Sequence, residues 1–245
     1  IKIVIYYNMG NPILISLEGN IGAGKSTLIE HLENVLQKEA GWIFLKEPVH
    51  IWDTIVDENG KTVLANFYED PKKYAFAFQI MAFTTRYQEL KRIVRENPNC
   101  KGIICERSLE ADKHIFAKML HRDGLMDQLM YTIYDKYFQE YEGNFKLDGI
   151  IHIDALPETC FERVKERSRN GESTITLEYL QTCHDFHKNW FENTDTPVLQ
   201  LNVNENVDVS NYNNQTSIKW LQEVLTFIQQ FQEKQTNIET WTKQL

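Results

Sequence analysis

Short apolar runs alternate with longer amphipathic segments along most of the chain. Each run has four or five residues, most of them aliphatic, which is typical of strands buried on both faces of a parallel sheet. The runs are residues 13–17, 42–45, 102–105, 149–153 and 198–201. Their spacing between helix-length segments predicts an α/β fold with one five-stranded parallel sheet.

The segments between these runs repeat apolar residues at helical spacing. In residues 26–39, for example, Leu28, Leu32 and Leu36 share one face. Further helices are predicted at residues 71–97, 108–121, 126–141, 157–169, 177–191 and 218–231. Helices on both faces of the sheet give a three-layer domain.

The same pattern divides the chain. We expect one domain over residues 12–233, preceded by an N-terminal extension at 1–11 and followed by a polar tail at 234–245. An Asn-rich stretch at 202–216 is predicted to be a loop. Open parallel sheets bind ligands beyond the carboxyl ends of their strands, so the residues that follow each strand are the candidates for chemistry.

Composition narrows the function. Hydrophobic residues make up 42% of the 245 residues, which is enough for a full core and excludes a disordered chain. Acidic residues outnumber basic ones by 35 to 26, so the chain, at a net charge of −9, is a poor binder of nucleic acid or anionic membranes. Four cysteines without a CxxC pair, expected to be buried, favour a reducing compartment. No targeting or membrane-spanning segment is visible, so we expect a cytoplasmic protein.

The segment after the first strand has the pattern GxxxxGK[ST] of a phosphate-binding loop. It comprises Gly19, Asn20, Ile21, Gly22, Ala23, Gly24, Lys25, Ser26 and Thr27. Glycines let backbone N–H groups converge on phosphate oxygens, and the following helix directs its positive end at the same anion. We expect Lys25 to reach the β- and γ-phosphates of a nucleoside triphosphate and Ser26 to offer its hydroxyl to Mg²⁺.

The loop alone leaves a kinase, a GTPase-type switch and an ATPase motor open. The chain has no NKxD motif for guanine, and the DxxG at 57–60 follows no predicted strand, so it is interpreted as a turn. Glu47 and Glu106 follow the second and third strands and should lie beside the loop. Phosphoryl transfer to a hydroxyl needs one acid near the attacking oxygen and one near Mg²⁺. Asp154, after the fourth strand, is an alternative metal ligand or a helix cap.

Three arginines cluster in the predicted helix 157–169. Arg163 and Arg167 are four residues apart on one face, and Arg169 follows at the end. In an acidic chain, such a cluster fits an Arg-rich lid that binds donor phosphates through bidentate hydrogen bonds. A solvated charged helix, with Glu162 and Glu166 as partners, is the alternative.

In this order and combination the motifs resemble the deoxyribonucleoside kinases of the deoxycytidine/deoxyguanosine kinase type, over about residues 12–202. The matching segments are GNIGAGKST at 19–27, Glu47-Pro48-Val49-x-x-Trp52, Tyr68-Glu-x-Pro71 with Phe78-Gln79, Glu106-Arg107-Ser108, Arg163-x-x-x-Arg167-x-Arg169, and Glu172 before Leu177-Glu178-Tyr179-Leu180. The resemblance implies a nucleoside-monophosphate-kinase-like P-loop fold, ATP and Mg²⁺, and a role in deoxynucleoside salvage for DNA precursor synthesis.

The resemblance also implies roles for single residues. The catalytic set is Lys25, Glu47, Arg107, Arg163 and Arg167, and the metal set is Ser26 and Glu106. Glu47 is implied to be the general base on the nucleoside 5′-hydroxyl, and Arg107 to position that oxygen. The remaining substrate-binding residues are Trp52, Tyr68, Phe78, Gln79, Phe116 and Glu172. Arg169 is implied to join the other lid arginines on the donor phosphates.

Base choice is linked by the resemblance to Ala82, Arg86 and Asp112. An Arg–Asp pair resembles members that accept cytosine and purine deoxynucleosides, whereas members that accept thymidine carry smaller or apolar residues. We therefore expect deoxyadenosine, deoxyguanosine or deoxycytidine ahead of thymidine; a purely structural ion pair is the alternative. Lys113-His114 replace the family's Arg-Tyr at the pocket rim.

The resemblance also implies a homodimer through residues 108–121 and neighbouring helices. Feedback inhibition by a deoxynucleoside triphosphate is implied as well.

Two other functions remain open. A thymidylate-type nucleoside-monophosphate kinase would need a basic site for the acceptor phosphate, where Glu47 places a negative charge instead. A P-loop switch or ATPase would hydrolyse nucleoside triphosphate without any nucleoside. His184 and His187, three residues apart, have no third metal ligand at matching spacing and are interpreted as a solvated helix face.

Overall fold

The computed structural model describes residues 12–36, 41–168, 172–205 and 214–242, except the side chains of 142, 173 and 234–242. The strands are Ile13–Glu18 (β1), Trp42–Leu45 (β2), Gly102–Glu106 (β3), Gly149–Asp154 (β4) and Val198–Asn202 (β5). The α-helices are Lys25–Leu36 (α1), Val49–Trp52 (α2), Val63–Glu69 (α3), Pro71–Glu96 (α4), Leu109–Ala111 (α5), Lys118–Arg122 (α6), Gln128–Tyr141 (α7), Pro157–Arg167 (α8), Leu177–Glu192 (α9) and Gln215–Thr242 (α10). A π-helix spans Asp112–Ala117, and 3₁₀ turns span Glu142–Asn144 and Glu172–Thr174.

The strands form one five-stranded sheet in the order β2-β3-β1-β4-β5, with every neighbouring pair parallel. Strand β1 is central, with Leu17 opposite Glu106 on β3 and Glu18 opposite His152 on β4. The ends of β1 and β3 therefore lie side by side. The predicted five-stranded parallel sheet is confirmed.

Each face of the sheet carries its own core. On one face, Ile15 and Leu17 of β1 pack in a cluster with residues of α1, α8 and α10, such as Ile29 and Val224. On the other face, Leu14 of β1 packs in a cluster with residues of α4, α7 and the π-helix. These two clusters sandwich the sheet, so the predicted three-layer arrangement is confirmed.

The predicted helix at 108–121 is wrong as a single helix. The Ser108 hydroxyl caps its start by accepting the Ala111 N–H at 3.0 Å, but the six residues Asp112–Ala117 form a π-helix before regular α-helix resumes. Apolar periodicity does not distinguish a π-turn from an α-turn within a helix of this length. Wider turns of this kind are frequent at functional sites.

Helices α2 and α3 were not predicted because four and seven residues are too few for a clear helical period. The last helix begins at Gln215 and continues to Thr242, so its predicted end at residue 231 is wrong. The 57–60 segment is a turn, as expected, because the Asp57 carboxylate accepts the N–H groups of Asn59 and Lys61. The extension at 1–11 and residues 206–213 of the Asn-rich stretch lie outside the described residues, and the domain bounds stay predictions.

Three smaller expectations have mixed outcomes. His187 is 1% exposed, so its assignment to a solvated face is wrong. Asp154 does not cap α8; its carboxylate accepts from Gln200 Nε2 on β5 at 2.8 Å. Cys105, Cys160 and Cys183 are buried, whereas Cys100 is half-buried. Across the ranges given above, none of the helices combines the length and apolar character needed to cross a bilayer.

Candidate active site

A cavity of about 520 Å³ lies beyond the carboxyl ends of β1, β2 and β3. That volume suits a small-molecule ligand. The predicted residues that line it are Ile21, Gly22, Gly24, Lys25, Ser26, Thr27, Glu47, Trp52, Tyr68, Phe78, Gln79, Ala82, Arg86, Glu106, Arg107, Asp112, Phe116, Arg163, Arg167 and Glu172. Motifs scattered over most of the chain therefore converge on one site. Arg169 lies outside the described residues.

Glycines in the phosphate-binding loop are required by close packing. A Cβ on Gly19 would lie 2.5 Å from the carbonyl oxygen of Ile153, and one on Gly22 would lie 2.6 Å from that of Cys160. Both residues also have positive φ, +150° and +81°, which favours glycine. The loop can therefore approach β4 and α8 closely only with glycine at these positions.

Gly19, Asn20 and Ala23 do not line the cavity and support the loop from behind. Asn20 Nδ2 donates to the carbonyl oxygen of Leu180 on α9 at 2.8 Å. The Ala23 side chain is 2% exposed and belongs to the core cluster. These contacts shape the loop, and the expected contacts of Gly19, Asn20 and Ala23 with a nucleotide stay predictions.

Lys25 is held by its own loop. Its ammonium donates to the carbonyl oxygens of Gly19 at 3.1 Å and Asn20 at 2.8 Å, and the side chain is 5% exposed. Burial, together with the nearby Arg107 charge, lowers the pKa of Lys25 to about 8, although the nearby carboxylates oppose the shift. A triphosphate would supply stronger oxygen partners for the same ammonium.

Ser26 and Glu106 bring two hard oxygen ligands together. The Ser26 hydroxyl donates to Glu106 Oε1 at 2.7 Å. Mg²⁺ prefers oxygen ligands and is commonly bound by one or two side chains together with substrate phosphates. Among the described residues, no group of three His, Cys, Asp or Glu side chains forms a metal site on its own. The pair therefore fits a magnesium ion that is shared with phosphate.

Arg107 adopts a strained backbone at the end of β3. Its φ is +64°, which is rare for a residue with a Cβ and is found mainly at functional sites. The guanidinium is 4% exposed and lies over the Phe116 ring, with its carbon 4.8 Å from the ring centroid. Its Nη1 is buried without a hydrogen-bond partner among the described residues, as expected for a donor that serves a ligand.

The Glu47 carboxylate lies between two arginines. Its Oε1 is 3.1 Å from Arg86 Nη2 and 3.4 Å from Arg107 Nε. Burial alone would raise the pKa of Glu47, but the charges of Arg107, Arg86 and Lys25 outweigh it and hold the pKa below its ordinary value. Glu47 is therefore ionised at neutral pH and fixed in orientation.

Arg86 connects the carboxylates on this side of the cavity. Its Nε and Nη2 donate to both oxygens of Asp112, at 3.0 and 3.4 Å, and Nη1 donates to the Glu106 carbonyl at 3.0 Å. Arg86 and Asp112 are 2% and 3% exposed. The predicted Arg–Asp pair is thus present, buried and bidentate, which fixes the shape of the cavity at this end.

Aromatic rings form one wall of the cavity. Phe78 stacks on Phe67 with centroids 4.7 Å apart and meets Trp52 edge-on at 5.5 Å. Phe116 also lines the cavity, with Arg107 over its ring. Gln79 is 2% exposed, and its Oε1 has no hydrogen-bond partner within the described part of the chain. A flat apolar ligand with a polar edge suits this end.

The lid arginines have partners of two kinds. Arg163 donates to the carbonyl oxygens of Ala23 at 3.4 Å and Val203 at 3.0 Å, so it connects α8 to the phosphate-binding loop. Arg167 forms an ion pair with Glu172 at 2.6 Å. Both line the cavity. The predicted lid therefore lies against the site, and its contact with transferred phosphate stays a prediction.

Sequence reasoning gave six cavity residues no site role, although Val49 and Tyr179 lie within the matching motifs. The six are Glu30, Lys46, Val49, Leu64, Phe67 and Tyr179. Phe67 and Leu64 lie on α3, which was not predicted as a helix, so no face could be assigned to them. Lys46 and Glu30 form an ion pair at 3.0 Å across the rim, and the adjacency of Lys46 to Glu47 was the available signal.

Fold and site together define a P-loop phosphotransferase whose cavity also holds the Glu47 carboxylate. The model of the deoxynucleoside kinase family matches residues 15–229. The chain belongs to the deoxynucleoside kinase family, whose members transfer a phosphoryl group from ATP to a deoxynucleoside.

Relatives that are named for three different substrates are similar to this chain over most of its length. The probable deoxycytidine kinase of fowlpox virus (strain NVSL) is 38% identical, over 83% of this chain and 84% of that protein. The mitochondrial deoxyguanosine kinase of Xenopus laevis is 34% identical, over 79% and 82%. The deoxyadenosine kinase of Dictyostelium discoideum is 35% identical, over 79% and 74%.

Proposed function

We propose that the chain phosphorylates the 5′-hydroxyl of deoxyadenosine, deoxyguanosine or deoxycytidine in preference to thymidine, with Mg·ATP as donor. The observation that carries the proposal is the Glu47 carboxylate, held by Arg86 and Arg107 beside the phosphate-binding loop. An ionised, oriented carboxylate there suits a neutral hydroxyl acceptor, and it repels the phosphate that a nucleoside-monophosphate kinase must bind.

Each group would act on a different part of the transfer. Glu47 accepts a hydrogen bond from the 5′-hydroxyl and takes its proton as that oxygen bonds to the γ-phosphorus, while the bond from the γ-phosphorus to the β,γ-bridging oxygen breaks and ADP leaves. Arg107 donates its free Nη1 to the acceptor oxygen. Lys25 and the loop N–H groups hold the β- and γ-phosphates, and Arg163 and Arg167 close over them.

Ser26 and Glu106 would hold Mg²⁺. When bound, the ion supplies positive charge that offsets the negative charge on the phosphate oxygens. The hydrogen bond between Ser26 and Glu106 shows that both side chains already point to the same place.

The base would lie between Phe78 and Phe116, with Gln79 at its polar edge. Ala82 leaves room beside the base, and the fixed Arg86–Asp112 pair fills the space that a thymine methyl group would need. The sugar 3′-hydroxyl would meet Tyr68 and Glu172, both of which line the cavity. The relatives named for deoxycytidine, deoxyguanosine and deoxyadenosine support the same preference.

A homodimer is part of the proposal. Half of the residues at 109–122 are buried inside one chain, whereas Leu129 and Ile133 on the neighbouring helix α7 are 69% and 47% exposed. These two side chains lie four residues apart on one face of α7. We therefore place the contact between two copies of the chain on α7. A cytoplasmic location and feedback inhibition also stay proposals.

The test is transfer of labelled γ-phosphoryl from Mg·ATP to deoxyadenosine, deoxyguanosine, deoxycytidine, thymidine and a deoxynucleoside monophosphate. We expect transfer to the first three, poor use of thymidine, and a loss of about 10²–10⁴-fold in kcat for Glu47→Gln. Glu96→Gln, a surface variant on α4, is the matched control and should keep full activity.

Other outcomes would contradict distinct parts of the proposal. Thymidine as the best acceptor would reject the role of the Arg86–Asp112 pair. Transfer to the monophosphate alone would reject Glu47 as the base. Brisk ATP hydrolysis that no nucleoside stimulates would favour an NTP-hydrolysing switch over a kinase.

A further inference from the structure

Glu18 is a buried carboxyl group for which the reaction described above has no use. It is the last residue of β1, directly before the phosphate-binding loop, and is 0% exposed. Side chains alternate along a strand, so Glu18 points to the same face of the sheet as Leu14, towards α4, α5 and the π-helix. A buried carboxyl is costly unless its neighbours satisfy it, so its contacts are informative.

One carboxylate oxygen of Glu18 contacts the residue after Arg107, whereas the other, Oε2, has no hydrogen-bond partner within the described residues. Ser108 Oγ lies 2.6 Å from Glu18 Oε1. The same Oγ accepts the Ala111 N–H at 3.0 Å, so the hydroxyl proton is free to be donated to Glu18. Glu18 therefore sets the direction of the hydroxyl that caps the segment carrying Asp112 and Phe116.

Strand β1 holds the backbone at Arg107 through two hydrogen bonds. The Arg107 N–H donates to the Leu17 carbonyl oxygen at 3.0 Å, and the next residue, Ser108, donates to Glu18. Two consecutive residues of β1 thus hold the two residues that directly follow β3, at the turn where φ of Arg107 is +64°. Such a conformation persists only when its surroundings fix it.

We propose that Glu18 is a positioning residue, which acts through Ser108 to hold Arg107 in the strained conformation that directs its guanidinium at Glu47 and the acceptor oxygen. The proposal rests on the role of Arg107 in the proposed function. Without the hydrogen bond, Arg107 relaxes to negative φ, and its 3.4 Å contact with Glu47 is lost.

The hydrogen-bond acceptor, rather than the negative charge, is the part of Glu18 that this role needs. Burial raises the pKa of Glu18 above its ordinary value, although Ser108, Arg107 and Arg86 oppose the rise. An amide oxygen accepts the same hydrogen bond without a charge. Glutamine should therefore replace Glu18 with little loss, whereas alanine should not.

The test measures kcat, the KM for each substrate and the melting temperature for four variants and one double variant. We expect Glu18→Ala and Ser108→Ala each to lower kcat by about 10- to 100-fold, and Glu18→Gln to stay within about fivefold of the natural chain. Because both act through one hydrogen bond, the Glu18→Ala/Ser108→Ala double variant should be no more than about twofold worse than the poorer single variant. Ile15→Val, on the opposite face of the same strand, should lower the melting temperature without changing kcat.

Each departure has a separate meaning. A natural chain that phosphorylates no deoxynucleoside would reject the proposed function. An active natural chain with an unchanged kcat in Glu18→Ala, losses that multiply in the double variant, or a loss confined to the KM for ATP would reject the role of Glu18. Should Glu18→Ala not fold, Ser108→Thr must retain the kcat that Ser108→Ala loses, and equal losses in both would overturn the proposal.

Discussion

The two ends of the cavity hold their charged groups in different ways. In terms of the proposed function, Glu47, Arg86 and Asp112 form the acceptor side, and Lys25 and Arg167 belong to the donor side. On the acceptor side, Arg86 and Asp112 are buried and bonded to each other, and Glu47 is held by two arginines. On the donor side, the Lys25 ammonium rests on carbonyl oxygens of its own loop, and Arg167, 35% exposed in its side chain, rests on Glu172.

On the acceptor side the charged groups are already oriented, whereas on the donor side they must exchange a protein partner for a phosphate. Arg86 bonds to both Asp112 and Glu47 without a ligand, so these three groups are preorganised and cost little to order when a nucleoside binds. The donor cations contact protein oxygens that phosphate oxygens can replace. Their main contribution is therefore to the free energy of ATP binding, rather than to that of folding. We therefore expect acceptor-side substitutions to lower both stability and rate, and donor-side substitutions to lower rate alone.

The largest donor-side effect is expected for Lys25→Met. Methionine fills the buried space but supplies no charge to the phosphates, so kcat/KM for ATP should fall by about 10²–10³-fold. Nucleoside affinity, measured by isothermal titration calorimetry, should change by less than about twofold, since no nucleoside contact is removed. Lys91→Met, an exposed variant on α4, is the control. An equal loss of nucleoside affinity would contradict the separation of the two sides.

On the acceptor side, Arg86→Met should chiefly lower stability. It leaves the Asp112 carboxylate buried without its partner, which typically costs about 3–5 kcal/mol in the free energy of unfolding. Arg92→Met on the same helix breaks only surface ion pairs with Glu89 and Glu96 and should cost less than about 1 kcal/mol. Urea denaturation monitored by circular dichroism compares the two variants. Similar losses would mean that the acceptor side is not preorganised by this pair.

The donor side was easier to predict from sequence than the acceptor side. The phosphate-binding loop is contiguous, and its glycines, Lys25 and Ser26 follow one local pattern. Glu47, Arg86 and Asp112 come from three separate segments, and only the parallel order of the strands and the family resemblance bring them together. Glu106 could be placed from the end of its strand, but its hydrogen bond with Ser26 could not.

The missed features have a common physical cause. Phe67 lies on a helix of seven residues, and the positions of Asp112 and Phe116 depend on a π-helix, neither of which leaves a distinctive apolar period. The role of Glu18 depends on φ of Arg107 and on one hydroxyl proton, which are properties of the folded backbone. A sequence pattern shows which residues are buried. It does not show which buried polar atoms form hydrogen bonds with one another.

The pH dependence should also differ between the two sides. Lys25, with a pKa of about 8 instead of that of a free lysine, loses its charge as the pH rises through that value. We expect kcat/KM for ATP to fall about tenfold per pH unit above it. Glu47, with a lowered pKa, stays ionised and should add no loss between about pH 5 and 7. Lys25→Arg, which does not titrate, should remove the alkaline limb; its persistence would assign the limb to another group.

The smallest effect is expected for Arg167→Gln. Its ion pair with Glu172 is partly exposed and screened, and a triphosphate must displace that partner before Arg167 can contribute. We expect kcat to fall by about three- to tenfold, with the melting temperature unchanged, and the loss to shrink as salt is raised. Lys165→Gln, an exposed neighbour on α8, should change neither quantity. A loss of activity as large as that of Lys25→Met would mean that Arg167 binds the phosphates as firmly as Lys25 does. Exchange of a protein partner for phosphate would then not be a general property of the donor side.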